Sequence, residues 1–464
     1  MPSTDAALLS AEEMIDLYAR QALSPIEVLT AVTDRVARLN PGINAFVVMN
    51  SRAHEAARDS EARWRAGRPL GLLDGVPCTV KDLVDLAGFP TRRGSRLTDP
   101  APVVEDAPMV LGLKREGAVI LGKTTTTEFG WKSPGDCPLN GITRNPWNRA
   151  FTTGGSSSGA GAAGAAGFGP LHIGTDAGGS VRIPAAWCGL VGLKPSYGRV
   201  PQWPAGAFAA VSCAGPMTRT VRDNALMLSA MARADIRDPF CLPDEPRDWR
   251  DGIETGVAGL RVGILRRPGF DAPLDADGAA ALERTASLLA EAGAEVTEIE
   301  PALPDTRDIF ARVWGAALAR LVGLYPEPRR ALLDPGLLEV AAALGGMSAI
   351  EFLDAEAMRA AAGHAMARLH LRCDLVLCPT VPNGPPEADA PTVNPMAALW
   401  KNWAPWTFPF NLTRQPAITL PMGLTASGLP DSVQIAAAQF RDDLVLRAAR
   451  TIELAQPFPA PSLG

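Results

Sequence analysis

The chain has 464 residues, of which 47% are hydrophobic and 20% are charged, and its formal net charge is −6 at pH 7. This composition is ordinary for a globular protein with a large core, which needs neither disulfides nor a metal to hold it. The negative charge argues against nucleic acid and anionic membranes as partners, because Lys and Arg are spread along the chain rather than clustered.

The seven cysteines are an odd number, and their spacing fits neither a zinc site nor a disulfide framework. The first residues lack the basic and apolar regions of a signal peptide. No run of about 18 apolar residues predicts a membrane span. We therefore expect a cytoplasmic protein with reduced thiols.

The first third of the chain is predicted to alternate helices and strands. Apolar periodicity and two capping boxes, at Ser10 and Ser24, predict two helices within residues 9–40. The elements expected next are a strand at 43–49, a helix at 51–66, a strand ending at Lys81, a helix at 107–116 and a strand at 119–124. A loop, 124–141, follows.

Residues 153–184 are unusually rich in glycine, which costs about 0.5–1 kcal/mol relative to alanine inside regular elements. Ser156 follows one glycine pair and Ser180 follows another. Successive backbone N–H groups in such a turn can converge on one point and bind an anion. A serine beside such donors has the geometry that acyl transfer needs.

A serine hydroxyl is a weak nucleophile until a base removes its proton. The histidines carry no triad signature, since three lie in helix-like runs and one in an apolar strand-like segment: His54, His364, His370 and His172. Lys81 ends a β-prone run that would be buried, and burial can remove the charge of a lysine. Lys81 is therefore the candidate base of a Ser-Lys arrangement.

Five segments form a series along the chain: GVPCTVKD at 75–82, GKTTTTEF at 122–129, GGSSSG at 154–159, GTDAGGSVRIPA at 174–185 and GLVGLKPSYGRV at 189–200. The series resembles the amidase signature family of serine hydrolases, and similar segments near both ends extend the resemblance over nearly the whole chain. The two serines lie 24 residues apart and the lysine lies 75 residues before the first, which is a highly specific combination.

The resemblance implies a role for each of these residues. Ser180 matches the nucleophile, Ser156 matches the bridging serine on a cis peptide bond, and Lys81 matches the base. The resemblance also implies an oxyanion hole and supporting groups: Ala177, Gly178, Gly179 and Ser180 for the hole, and Ser157, Asp176 and Arg182 for support.

One position departs from the family pattern. Ser158 stands where the family usually carries glycine. A register shifted by one residue, with Ser157 as the bridging serine, would break the 24-residue spacing. Ser156 therefore remains the predicted bridging residue.

Each motif taken alone has a plainer interpretation. Most lysines are solvated, and most Gly/Ser runs are flexible linkers. A phosphate-binding loop is the third such interpretation, but the GxxxxGK[ST] pattern is absent. The joint occurrence of the motifs in this order favours catalysis.

The resemblance implies one α/β domain over residues 1–464, with a large central mixed β-sheet flanked by helices on both faces and a catalytic core at about 70–225. We expect a helix from residue 215 onward. A strand at 260–267, a helix at 277–292 and a strand at 294–300 form a β-α-β pattern that predicts parallel pairing. Residues 411–464 are expected to return to the core and to close with a helix.

Residues 301–410 are predicted to form the variable substrate-recognition region, with a candidate mobile lid at 394–405. Small-ligand pockets are mostly apolar and aromatic. The candidate lining residues are therefore Phe129, Trp131, Cys137, Trp314, Trp400, Trp403 and Trp406. The alternatives are that the first three lie in a packed surface loop and that the others fill the core.

The sequence thus predicts an amidase that cleaves small apolar or aryl amides through a serine acyl-enzyme, without metal or cofactor, as a monomer or homodimer. Two alternatives stay open. The same residues can act on carbamates (urethanes) or aryl esters. The chain can also be the glutamine-hydrolysing subunit of a tRNA-dependent amidotransferase, which needs a partner subunit. A non-enzymatic scaffold is disfavoured because all three catalytic positions are intact.

Overall fold

The structure is a computed structural model that describes residues 5–300, 304–390, 404–458 and 461. In this part of the chain an eleven-stranded mixed β-sheet is flanked by helices, which confirms the predicted fold class. The strands are β1 (Phe46–Met49), β2 (Pro77–Lys81), β3 (Val119–Thr124), β4 (Asp136–Cys137), β5 (Gly141–Ile142), β6 (Leu171–Asp176), β7 (Val191–Lys194), β8 (Cys213–Thr218), β9 (Arg261–Leu265), β10 (Glu295–Ile299), β11 (Leu375–Pro379), β12 (Ala417–Leu424) and β13 (Pro430–Ala437).

The helices cover the sheet and build the region above its central strands. They are α1 (Ala11–Ala19), α2 (Pro25–Leu39), α3 (Ala53–Arg65), α4 (Pro108–Arg115), α5 (Ser158–Ala166), α6 (Arg182–Cys188), α7 (Val221–Met231), α8 (Ala276–Glu291), α9 (Thr306–Gly323), α10 (Glu327–Arg330), α11 (Pro335–Leu344), α12 (Ala349–Leu369), α13 (Phe408–Leu412) and α14 (Asp442–Ala455). Within the described ranges, no single helix is long and apolar enough to cross a membrane; only α11 and α12 together, bent by 95°, reach that length and composition.

The order of strands in the large sheet is β1-β3-β2-β6-β8-β7-β12-β13-β11-β9-β10, and β4 pairs separately with β5. Strand β2 is parallel to both β3 and β6. Because the carboxyl ends of parallel strands meet at the same edge of a sheet, the last residues of β2 and β6 are neighbours in space. These residues are Lys81 and Asp176, so the strand order brings the predicted base beside the turn that contains Ser180.

The predicted β-α-β unit is confirmed. Strands β9 and β10 pair in parallel, with Glu295 opposite Arg261, and helix α8 connects them. The two capping boxes are also present, so α1 begins after Ser10 and α2 begins after Ser24.

The prediction of a helix from residue 215 onward is wrong at its start. Residues Cys213–Thr218 form strand β8, which lies between β6 and β7, and the helix begins only at Val221. The side chain of Thr220 accepts a hydrogen bond from the backbone N–H of Asp223 and so caps the helix. Hydrogen bonds to two neighbouring strands, which a local pattern does not reveal, hold the preceding residues extended.

Helix α5 packs closely against the sheet because its residues are small. All nine of its residues are buried. A Cβ atom added to Gly159 would overlap the carbonyl oxygen of Ala45. The small-residue run therefore serves packing, and it holds the serine segment that precedes it against the ends of the strands.

Candidate active site

Lys81 is fully buried at the carboxyl end of β2. Its Nζ lies 2.8 Å from Ser156 Oγ, 2.8 Å from Ser157 Oγ and 2.9 Å from Thr175 Oγ1. Burial lowers the pKa of Lys81 well below its ordinary value, although the negative charge of Asp176 opposes the shift. An uncharged amine at this position can accept a proton from a neighbouring hydroxyl.

The peptide bond between Gly155 and Ser156 is cis. The turn that contains Gly130 covers Ser156, since a Cβ atom added to Gly130 would lie 3.2 Å from Ser156 Oγ. The backbone N–H of Ser157 donates to the carbonyl oxygen of Ser180 over 3.2 Å. The two serine segments are therefore joined directly, through the backbone.

The turn from Ala177 to Ser180 connects β6 to α6. The N–H of Gly179 donates to Asp176 Oδ1 over 2.7 Å, so this one of the four predicted oxyanion donors already has a partner. The backbone N–H groups of Ala177, Gly178 and Ser180 donate no hydrogen bond to any described residue. Both ends of the turn, Ala177 and Ser180, line the cavity described below.

Gly179 requires glycine for two reasons. Its φ is +134°, a conformation that side chains other than glycine rarely adopt. A Cβ atom there would also overlap Thr407 Oγ1. Thr407 Oγ1 in turn donates to the carbonyl oxygen of Gly178 over 2.6 Å, so the C-terminal part of the chain fixes the turn.

A buried ion pair lies directly under this turn. Arg182 Nε lies 3.0 Å from Asp176 Oδ2, and both side chains are fully buried. Although burial by itself would raise the pKa of Asp176, the Arg182 guanidinium and the Asn411 amide lower it to about 2. Arg182 also donates to Asn411 Oδ1 over 2.6 Å and to Gln434 Oε1 over 3.0 Å. Asp176 therefore stays ionised and holds the turn at neutral pH.

Ser156 and Ser180 line the same cavity, with only 2% and 8% of their surfaces exposed. Among the described residues, no hydrogen bond joins their two hydroxyl groups. Catalytic hydrogen bonds are often long in the absence of substrate and tighten only in the complex. The structure therefore contains the Lys81–Ser156 contact but not the contact between the two serines.

The cavity has a volume of about 480 Å³. Its wall is mostly apolar and aromatic, and it includes Phe129, Trp203, Phe208, Phe240 and Tyr325. A cavity of this kind suits an apolar or aromatic ligand.

The predicted pocket residues fall into three groups. Phe129 lines the cavity. Trp131, Cys137, Trp314 and Trp406 are buried and are not part of its wall. Trp314 stacks on Phe208, with ring centroids 3.8 Å apart, and so supports the wall from behind. Trp400 and Trp403, with most of the candidate lid at 394–405, lie outside the described residues.

Sequence reasoning missed several residues of the site. Thr175 contacts Lys81 Nζ, and its position directly before Asp176 in the motif is the signal that could have indicated it. Asn411 donates to Asp176 Oδ1 over 2.9 Å, but it lies 235 residues away in the chain, so no local pattern indicates it. His172, predicted to be a core residue, is buried and hydrogen-bonded to Thr79 Oγ1 at 2.9 Å.

Comparison with known proteins gives consistent matches. The family model described as Amidase matches residues 27–446. An acylamidase of Rhodococcus erythropolis is 37% identical over 98% of each chain. One of the subunits of the glutamyl-tRNA(Gln) amidotransferase of Roseiflexus castenholzii is 34% identical over 95% of this chain and 94% of its own.

Two solved structures are similar over nearly their whole length. A bacterial aryl acylamidase superposes with a TM-score of 0.89 at 29% identity, over 98% of this chain and 97% of its own. A 6-aminohexanoate cyclic dimer hydrolase superposes with a TM-score of 0.90 at 31% identity, over 99% of this chain and 100% of its own.

Proposed function

The chain belongs to the amidase signature family, and on that premise we propose that it hydrolyses the C–N bond of small apolar or aryl amides through an acyl-enzyme on Ser180. The observation that carries the proposal is the buried contact between Lys81 Nζ and Ser156 Oγ, 2.8 Å long, beside a turn whose N–H groups are mostly unpaired within the described chain. A buried, uncharged lysine supplies the base, and the turn supplies donors for the oxyanion.

The proposed reaction uses the three residues in sequence. Neutral Lys81 takes a proton from Ser156 while Ser156 takes one from Ser180, and Ser180 Oγ attacks the carbonyl carbon. The same relay then returns a proton to the leaving amine as the C–N bond breaks, which leaves the acyl group on Ser180. Water attacks this ester by the same steps and releases the acid.

The oxyanion of each tetrahedral intermediate is held by backbone donors. Ala177, Gly178 and Ser180 have N–H groups without a partner among the described residues, so we assign the oxyanion to these three. Gly179 instead positions the turn through Asp176. Donors that are fixed before the reaction need no reorganisation when the charge develops.

The apolar cavity and the similarity to an acylamidase of Rhodococcus erythropolis together support amides with apolar or aryl groups as the substrate class. A carbamate or an aryl ester offers the same electrophilic carbon to Ser180. Carbamate hydrolysis would differ chiefly in the loss of CO₂ afterwards, so these substrates form part of the test.

A second candidate function follows from the 34% identity to the amidotransferase subunit of Roseiflexus castenholzii. In that function, this chain would release ammonia from glutamine and would need a partner protein. The aromatic wall of the cavity favours the first candidate, because glutamine is small and polar.

The test is a rate comparison on matched aryl substrates: an acyl 4-nitroanilide, the corresponding 4-nitrophenyl ester and an aryl carbamate. Wild type and Ser180→Ala are assayed in parallel. We expect turnover of the anilide or the carbamate by the wild type and its loss in the variant. No turnover of any of the three, with ammonia released from glutamine once a partner protein is added, would replace the proposal by the amidotransferase function.

A further inference from the structure

Two arginines line the cavity without a hydrogen-bonded partner for their guanidinium groups. Arg93 lies 4.0 Å from Asp85 Oδ1, which is the limit of an ion pair, and its side chain donates no hydrogen bond to a described residue. Arg320, on α9, forms neither a hydrogen bond nor an ion pair with any described residue. Both arginines therefore lie in the wall of the cavity that Ser156 and Ser180 also line, with no hydrogen-bonded carboxylate among the described residues.

The remaining charged residues of the cavity are already engaged. Arg237 is held by Asp235, with Nε 2.9 Å and Nη2 2.7 Å from the carboxylate oxygens. Asp238 is the one acidic side chain among the described residues of the wall. Its two oxygens accept backbone N–H groups, from Gln202 over 2.8 Å and from Phe240 over 2.9 Å. Neither residue neutralises Arg93 or Arg320 by contact.

The backbone of Arg93 contacts the turn over Ser156, and an aromatic pair links that turn to the segment after Arg320. The carbonyl oxygen of Arg93 accepts the N–H of Phe129 over 2.8 Å. Phe129 packs against Tyr325, with ring centroids 6.2 Å apart, and Tyr325 lies five positions after Arg320, just beyond the end of α9. Arg93, Phe129, Arg320 and Tyr325 all line this cavity, with Arg93 half-buried and Arg320 exposed, and Phe129 directly precedes Gly130, whose turn covers Ser156.

We propose that the substrate bears a carboxylate on the part remote from the scissile bond and that Arg93 and Arg320 bind it. This inference rests on the proposed amide hydrolysis and names its substrate class. The guanidinium group matches a carboxylate because it offers parallel N–H donors, and such charge-assisted bonds are stronger than neutral ones. The apolar wall between the arginines and Ser180 would hold the aryl or alkyl body of the same molecule.

The test uses two pairs of substrates that differ only in this charge. The first pair is 4-acetamidobenzoate and 4-acetamidobenzamide, with the carboxylate on the amine side. The second pair is N-phenylsuccinamate and N-phenylsuccinamide, with the carboxylate on the acyl side. Release of the arylamine is followed in all four reactions. We expect kcat/KM for the carboxylate to exceed that for the carboxamide by about tenfold in at least one pair.

The variants ask whether the two arginines cause that preference. Arg320→Gln and Arg93→Gln should each lower the carboxylate-to-carboxamide ratio of kcat/KM, and Arg320→Glu should bring it below one. Arg312 is the matched control, since it lies on the same helix but pairs with Asp308 at 2.9 Å and is not part of the cavity wall. Arg312→Gln should leave the ratio unchanged.

The outcomes separate this inference from the proposed function. Turnover of the amides with no preference for the carboxylate in either pair would overturn the inference alone. A preference that survives in both Arg93→Gln and Arg320→Gln would overturn it as well. No turnover of these amides, the 4-nitroanilide or the carbamate would overturn the proposed function, and this inference with it.

Discussion

Lys81 and Ser156 are 75 residues apart in the chain, yet Lys81 Nζ lies 2.8 Å from Ser156 Oγ in a region closed to solvent. The contact exists because β2 ends where the serine segment crosses the same edge of the sheet. Burial favours the neutral amine, which lies within hydrogen-bond distance of the Ser156 hydroxyl.

Replacing the lysine should remove the base. We expect Lys81→Met to lower kcat/KM by about 10²–10⁴-fold, the usual contribution of general acid–base catalysis. The wild-type rate should rise with pH as Lys81 loses its proton, with a midpoint below the ordinary lysine pKa of about 10.4, because burial lowers the pKa. A wild-type rate that stays constant down to acidic pH would contradict a lysine base. The circular dichroism of the variant verifies that it folds.

Ser180→Ala should abolish both turnover and covalent labelling by a serine-directed phosphonate, because it removes the proposed nucleophile. Intact-protein mass spectrometry measures the adduct. Ser158→Ala is the matched control: Ser158 Oγ is buried at the start of α5 and has no hydrogen-bond partner among the described residues. Labelling of Ser180→Ala at the wild-type rate would place the nucleophile elsewhere.

Gly179→Ala should inactivate the protein and lower its free energy of unfolding by more than about 1 kcal/mol, since the new Cβ adds left-handed backbone strain to an overlap with Thr407. Denaturant unfolding and kcat are measured together. Gly363→Ala, in α12, has open space around the added Cβ and should instead stabilise the protein by about 0.5–1 kcal/mol. Equal effects of the two substitutions would contradict the role of Gly179.

Asn411→Ala should weaken the hydrogen bonds that hold the turn from Ala177 to Ser180 in place. Its amide donates to Asp176 Oδ1 over 2.9 Å and accepts from Arg182 over 2.6 Å, so its loss leaves buried charged groups short of partners. We expect a loss of about 1–3 kcal/mol in the free energy of unfolding. We also expect a fall in kcat that exceeds any rise in KM. An unchanged kcat in the folded variant would show that the oxyanion donors do not depend on Asn411.

Glu128→Gln should change the pH dependence of stability. Glu128 is buried, with Oε2 accepting the N–H of Asp334 over 2.6 Å, and burial raises the pKa of Glu128 to about 7. The folded wild type therefore keeps this proton up to about pH 7, whereas the unfolded chain releases it near pH 4.3. The contribution of Glu128 to the free energy of unfolding is fully present below the pKa that Glu128 has in the unfolded chain. It falls by at most about 3 kcal/mol as the pH rises to 7.

Glu128→Gln has no carboxyl group to titrate and does not lose this stability. The Tm of the variant minus the Tm of the wild type should therefore be larger at pH 8 than at pH 4.5. Thermal unfolding at the two pH values measures the difference. A difference in Tm that is the same at both pH values would show that Glu128 does not titrate in this range. A change in stability that the Gln side chain causes equally at both pH values cancels when the two differences in Tm are compared.

Local features of the fold were predictable wherever the signal was contiguous. Ser10 and Ser24 begin their helices as predicted, because capping boxes involve residues only three positions apart. Strand β8 was not predictable, because its extended conformation depends on hydrogen bonds to β6 and β7. The aromatic residues were assigned to a pocket from their residue type and their place in the chain, and Trp314 stands behind Phe208 rather than in the wall.

The sequence by itself determined the family, the turn around Ser180 and the identity of Lys81 as the candidate base, because these rest on motifs of a few adjacent residues. Only the tertiary structure decided which side chains surround them. Asn411 reaches Asp176 across 235 positions, and Arg93 and Arg320 meet one cavity from different elements. Such contacts depend on strand order and helix packing, which bring distant residues together to bury apolar surface, and local periodicity does not encode them.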